Sequence, residues 1–185
     1  FAAAKILEPL YEGCLDRMAA FVNDDDRLGP ITPNEAIREL VKCGESLSLE
    51  FKSTARWNVR QGKADKAMER VIVKTVAAFL NSKGGDLLIG VQDDGSIFGI
   101  EADQQLFSQD KRNRDTYENW LMTLLLEALG KQHAANLHVS FALLDEHDVC
   151  RIAILPSSTA VFVKEHTQDS LFVRAGNSTR ALTAR

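Results

Sequence analysis

The sequence predicts an α+β fold, a mixed, mostly antiparallel sheet of about six strands with two main helices packed on it, plus an N-terminal helical extension. Three observations carry this. Residues 64–81 and 117–129 hold apolar side chains at helical spacing: Met68, Val71, Ile72, Val76 and Phe79 in one, Trp120, Leu121, Leu124, Leu125 and Ala128 in the other. Short apolar runs bounded by turn residues recur at 46–53, 87–91, 137–144, 149–155, 161–164 and 170–174. The later runs are joined in pairs by short polar turns, as hairpins are.

In chain order, residues 2–22 read as a helix, with Ile6, Leu7, Leu10, Leu15, Met18, Ala19 and Val22 near helical spacing and Pro9 as its weak point. Residues 23–30 form an acidic linker flanked by Pro and Gly. The predicted domains are therefore 1–30, the helix and linker, and 31–185, the principal domain. Thr32-Pro33-Asn34-Glu35 is a capping box with proline at the first helical position, and Gly44 stops the helix that follows. In 46–53, Leu47, Leu49 and Phe51 alternate with Ser48, Glu50 and Lys52, so one face is buried and the other polar. Residues 54–62 form a loop before the 64–81 helix. Gly84 and Gly85 suit the positive φ of a helix C-cap. The strand 87–91 then meets a turn at Asp93-Asp94-Gly95-Ser96 and returns as 97–100. Residues 102–107 are poorly defined and 111–114 form a basic hinge. The helix 117–129 ends at Gly130. Hairpins turn at 145–148 and 166–169, and 174–180 reads as a polar loop.

Composition narrows the function classes. At 45% apolar and 26% charged, the chain is ordinary globular material. No apolar run approaches the ~20 residues of a membrane span, so no membrane partner is expected. Cys14, Cys43 and Cys150 show no CxxC pairing, which argues against a zinc site or disulfide framework and for a reducing, cytoplasmic setting. The first residue is Phe, and the last residues have no natural end. A larger protein with other domains is expected. The net charge of −4 hides a local reversal. Residues 51–83 carry Lys52, Arg56, Arg60, Lys63, Lys66, Arg70, Lys74 and Lys83 against Asp65 and Glu69 only. Phosphate contact depends on such local patches.

Four constellations bear on chemistry. Glu45, Glu50, Lys52 and Asp93 include carboxylates that would bind Mg or Mn if they converge, with the lysine at a phosphate. Their alternative is a solvated strand face. Arg56, Trp57 and Arg60 share one loop and combine phosphate contacts with a stacking ring, and Lys66, Arg70 and Lys74 extend the basic stretch along a helix. The alternative is a solvated helix face and a Trp that caps the core. Arg174, Thr179 and Arg180 suit backbone contacts, or simply make a polar loop. Lys83-Gly84-Gly85 follows a helix, whereas a phosphate loop precedes one, so no nucleotide cofactor is expected.

Three ordered motifs resemble a known family. Glu45-Ser-Leu-Ser-Leu-Glu50-Phe51-Lys52 is similar to the E-x4-E-F-K entry motif of the Schlafen AlbA-like domain. Ala78-Phe79-Leu80-Asn81, Gly84-Gly85, Leu88-Ile89-Gly90-Val91 and Asp93-Asp94-Gly95 resemble its central signature, and 172–179 its C-terminal segment. The resemblance implies nucleic-acid binding in bacterial regulators and defence proteins. Some members are metal-dependent endoribonucleases acting on structured RNA such as tRNA. Their three acids match Glu45, Glu50 and Asp93, and their lysine matches Lys52. Those nucleases carry two lobes, so the resemblance implies a homodimer or a further region here. The leading expectation is thus an RNA-cleaving, Mg- or Mn-dependent domain. Its rivals are a non-catalytic DNA- or RNA-binding and dimerising module, and a protein-interaction domain using the acidic N-terminal segment.

Overall fold

A computed structural model describes residues 32–164 and 169–182. The helix expected over 2–22, its linker and the turn at 166–168 lie outside these residues. Helix α1 (Pro33–Cys43) opens on the expected capping box. The Thr32 side chain accepts from the Glu35 amide while the Glu35 carboxylate accepts from the Thr32 amide. Strand β1 (Leu49–Lys52) is followed by a two-residue ribbon, β2 (Trp57–Asn58) and β3 (Lys63–Ala64), inside the stretch read as a loop. Helix α2 (Lys66–Leu80) starts at Asp65, whose carboxylate accepts from the Ala67 amide. Next come β4 (Gly85–Ile89), a single-turn helix α3 (Glu101–Gln104) and α4 (Arg114–Leu129), capped by Asn113. The chain continues through β5 (Leu137–Leu144), β6 (His147–Ile154), β7 (Phe162–Lys164), β8 (Asp169–Ala175) and β9 (Ser178–Leu182).

The α+β class is as the sequence predicts, and the strands divide into separate sheets. The main sheet has the order β1-β4-β6-β5, with β1 parallel to β4 and the other pairs antiparallel. Helix α2 makes the crossover between the parallel pair. The second sheet is antiparallel, β7-β8-β9. Strand β9 occupies the stretch read as a polar loop. Its residues are mostly exposed, and an edge strand without an apolar face leaves no alternation to read.

Two apolar clusters flank the main sheet. On one face α1 brings Ile37 and Leu40 against Leu49, Phe51, Leu88, Ala142, Leu144 and Val149. On the other, α2 and α4 pack Ile72, Val76, Phe79, Leu121 and Leu125 against Leu87, Ile89, Ile152 and Ile154. Strand β4 is buried along its whole length because both faces are covered. The second sheet lies over the C-terminal half of α2, so that half is buried from Thr75 to Leu80.

The cap of α2 is Asn81 rather than Gly84-Gly85, although the Gly84 amide still donates to the Phe79 carbonyl at 3.1 Å, and the two glycines allow close approach. A Cβ on Gly84 would sit 2.4 Å from the Ile154 carbonyl oxygen, and one on Gly85 2.5 Å from that of Ser48 and 2.6 Å from the Phe79 ring. The turn after Gln92 forms, with one bridge, Val91 to Ile97, rather than a strand pair. Cys150 is a buried free thiol. No helix among the described residues is long and apolar enough to cross a membrane.

Candidate nucleic-acid interface

Lys66, Arg70 and Lys74 recur every four residues, so α2 presents them on one face. They line a groove of ≈600 Å³ between α2, α4 and β7. Its apolar floor is Val73, Leu124, Ala128 and Val163, and Lys164 adds a fourth cation from β7. Two acids, Glu69 and Glu127, share the lining. Glu69 is itself buried and taken by cations: Lys66 Nζ lies 2.9 Å from one oxygen and Arg56 Nε 4.0 Å from the other. The Lys66 side chain stays 84% exposed, so its pairing with Glu69 is a rim contact and leaves the ammonium open to solvent. Lys74 lies over the Phe172 ring at 5.0 Å, which fixes it against the second sheet.

Arg56 stands beside this groove on a rigid mount that also holds the Trp57 backbone. The buried Asp103 carboxylate accepts from the backbone amides of Ala55 (2.7 Å), Arg56 (3.0 Å) and Trp57 (2.9 Å), and from the Tyr117 hydroxyl (3.1 Å). Burial pushes the Asp103 pKa up, and these four donors pull it back down. Tyr117 is wholly buried, and burial with the Asp103 charge pushes its pKa well up. The Arg56 guanidinium lies over the rings of Phe107 at 4.9 Å and Trp120 at 4.5 Å, with Nε and one terminal nitrogen shielded from solvent. Arg60 is exposed on the neighbouring turn.

The acids gather differently from the expected metal set. Strand alternation places Glu50 on the α2 side of the main sheet, in register with Leu87. There its two oxygens meet two cations: Oε1 accepts from Lys52 Nζ, and Oε2 from Arg174 Nη1 at 2.7 Å. Lys52 also donates to the Phe51 carbonyl at 2.6 Å. Glu45 Oε1 accepts from the Phe51 amide at 2.9 Å, closing the free edge of β1. Asp93 is exposed on the turn beyond β4. Among the described residues, no group of three or more His, Cys, Asp or Glu side chains could hold a metal ion. Mg and Mn need open carboxylate oxygens. Glu50 has both oxygens hydrogen-bonded to cations, Glu45 is turned to the Phe51 amide and Asp93 is exposed on its turn, so the three acids as they stand are not gathered into one donor set for the ion.

The family model "Schlafen, AlbA_2" matches residues 45–183. The chain belongs to this family. Among solved structures, the DIP2311 protein from Corynebacterium diphtheriae is similar in fold, with a TM-score of 0.53 at 20% identity. The match covers 92% of this chain and 26% of that one, so the chain spans about a quarter of that protein's length. None of the curated proteins matches the chain significantly.

Within this Schlafen AlbA_2 domain, the basic residues expected at nucleic acid fall into three groups. Lys66, Arg70 and Lys74 are brought together in the groove, with Arg56 beside it and mostly buried against Phe107 and Trp120, while nothing brings Trp57 into the groove lining. Arg174 is buried, and Thr179 accepts from it at 3.3 Å, so neither stands open to a ligand. Arg180 is in register with Val173, whereas Phe172 and Arg174 face α2, so Arg180 lies on the outer face of the second sheet. Sequence reasoning missed Lys164 and Asp103. Lys164 reaches the groove because β7 packs against α2 and α4, contacts between segments distant in the chain. Asp103 sits in a stretch with no periodicity, and no local pattern marks it.

Proposed function

We propose that this domain binds nucleic acid by its sugar-phosphate backbone in the α2–α4–β7 groove, without cleaving it. The observation that carries this is the row Lys66, Arg70 and Lys74 facing Lys164 across an apolar floor. Cations on a rigid helix can neutralise successive phosphates, and the contacts they make are independent of sequence. Membership of the Schlafen AlbA_2 family supports a nucleic-acid-associated role. The test is a gel-shift series with a labelled single strand and a duplex. Reversing Lys66, Arg70 and Lys74 to Glu together should abolish the shift while the far-ultraviolet circular dichroism stays unchanged. Retained binding by that variant would overturn the proposal.

A second reading is metal-dependent cleavage of structured RNA, with Glu45, Glu50 and Asp93 as ligands of Mg or Mn and Lys52 at the scissile phosphate. It is favoured by the ordered acids and lysine that resemble the family's nuclease members. It requires Glu50 to leave Arg174 and Lys52. Asp93 gives the clean test, since it is exposed and its loss leaves the core intact. Cleavage of a tRNA pool with Mn that disappears in Asp93→Ala would establish this reading. A homodimer supplying the second lobe is part of the same reading, and light scattering on the chain with and without RNA tests it.

A further inference from the structure

We infer that Arg174 fills, in this chain, the place a divalent cation would have at Glu50, and that Glu50 is a positioning residue which fixes the second sheet and with it the β7 wall of the groove. The role of the wall rests on the binding proposal above. The geometry of the clamp does not.

The Arg174 side chain is 0% exposed. Nη1 donates to Glu50 Oε2 at 2.7 Å and to Thr179 Oγ1 at 3.3 Å. Nη2 donates to the Ser46 carbonyl at 2.9 Å, and Nε to that of Leu47 at 3.3 Å. The guanidinium plane lies 4.7 Å from the centre of the Phe79 ring. One side chain thus ties together the segment before β1, β1 itself, the end of α2 and β9. Its own backbone amide adds a bond to Ser82 Oγ at 2.9 Å.

Glu50 is the one carboxylate that both Lys52 and Arg174 meet, while Glu45 is turned to the Phe51 amide. A guanidinium stays charged at any pH the fold survives, so Arg174 cannot be neutralised to make way for an ion. Its one anionic partner is Glu50, with neutral acceptors around it. A divalent ion at Glu50 would sit beside a buried guanidinium that takes Oε2 and stays charged, and like charges so close in a buried place repel strongly. The clamp also explains why Glu50, a charged residue on a strand, is buried.

Lys164 lies on β7, which pairs with β8, and Arg174 lies on β8 itself. Loosening the clamp frees the β7–β9 sheet to shift against α2. Groove geometry, and therefore affinity, then depends on Glu50 without any contact between Glu50 and nucleic acid.

The test uses the chain with Mn alone, read by electron paramagnetic resonance, and by thermal melting with and without Mn. Expected is no saturable Mn binding up to millimolar concentrations and no change of melting temperature. Glu50→Gln should melt lower, exchange its β7–β9 amides faster, and respond to Mn no differently from the parent. Saturable Mn binding by the parent chain, with a melting temperature that rises with Mn and a response lost in Glu50→Gln, would overturn the inference. If Glu50→Gln does not fold, the resonance titration of the parent chain decides alone. Thr179→Val keeps Glu50 and removes one clamp bond. Faster β7–β9 exchange in that variant supports the clamp, and unchanged exchange in both variants contradicts it. None of these readouts uses nucleic acid, so failure of the groove proposal leaves them intact.

Discussion

Asp103 holds three consecutive amides and a phenol with one carboxylate, and so fixes the loop that carries Arg56 and Trp57. In Asp103→Asn an NH2 group would face N–H or O–H donors, a mismatch of buried polar groups. The expected cost is about 1–3 kcal/mol, read from urea unfolding. Burial raises the Asp103 pKa, so the folded chain holds that proton more tightly than the unfolded chain does. Its contribution to stability therefore falls as pH rises from the ordinary Asp value through the raised one. The stability gap between parent and Asp103→Asn should narrow over that window. Asp65 and Asp94 have the opposite sign. Hydrogen bonds from Asn58 to Asp65 and from Ser96 to Asp94 lower their pKa values, so what they add is full above the ordinary Asp value and lost as pH falls below it. Cys150 is wholly buried, and burial pushes its thiol pKa well up. It should resist a thiol reagent in the native chain and react on unfolding, which a labelling time course under increasing urea would show.

At the scale of elements, the end of α2 is where two sheets meet. Asn81 sits just past the helix, and its amide nitrogen donates to the carbonyls of Val161 (2.7 Å) and Phe172 (3.0 Å) while its oxygen accepts from the Val161 amide (2.7 Å). Asn81→Ala should leave the main sheet protected and speed hydrogen exchange in 161–164 and 170–174. Gly85→Ala should be far more damaging, because its Cβ would meet the Ser48 carbonyl, a backbone atom that cannot turn aside. A failure to recover soluble folded protein is the expected result, and a stable Gly85→Ala chain would contradict the packing described. These local features also show what could be read in advance. The helices α1, α2 and α4 and strands β4, β5 and β6 follow from periodicity and caps, which are local signals. Strand β1 kept its Leu49 and Phe51 alternation. However, Leu47 is exposed and Glu50 buried, because the Arg174 clamp covers the face expected to be polar. Strand β9 is an exposed edge strand hairpinned onto β8 and the β2–β3 ribbon is a two-residue pairing, and neither leaves an apolar alternation in sequence.

At the scale of the molecule, α2 is a divider. Its C-terminal half is buried between the main sheet and the second sheet, and its exposed N-terminal half carries the cations. This arrangement reconciles an acidic chain of net charge −4 with a basic groove. Of the acids that the family motif singles out, Glu50 is tied by Arg174 into the joint with the second sheet, Glu45 holds the Phe51 amide and Asp93 is exposed on its turn. The most direct measurement of the central claim is the salt dependence of binding to a labelled strand, followed by fluorescence anisotropy. For the parent chain, the logarithm of the affinity should fall steeply and linearly with the logarithm of salt concentration. In Lys66→Ala/Arg70→Ala/Lys74→Ala, whose melting temperature should match the parent, the slope should shrink by about 2–3, one lost phosphate contact for each cation. An unchanged slope and affinity in that variant would contradict the account.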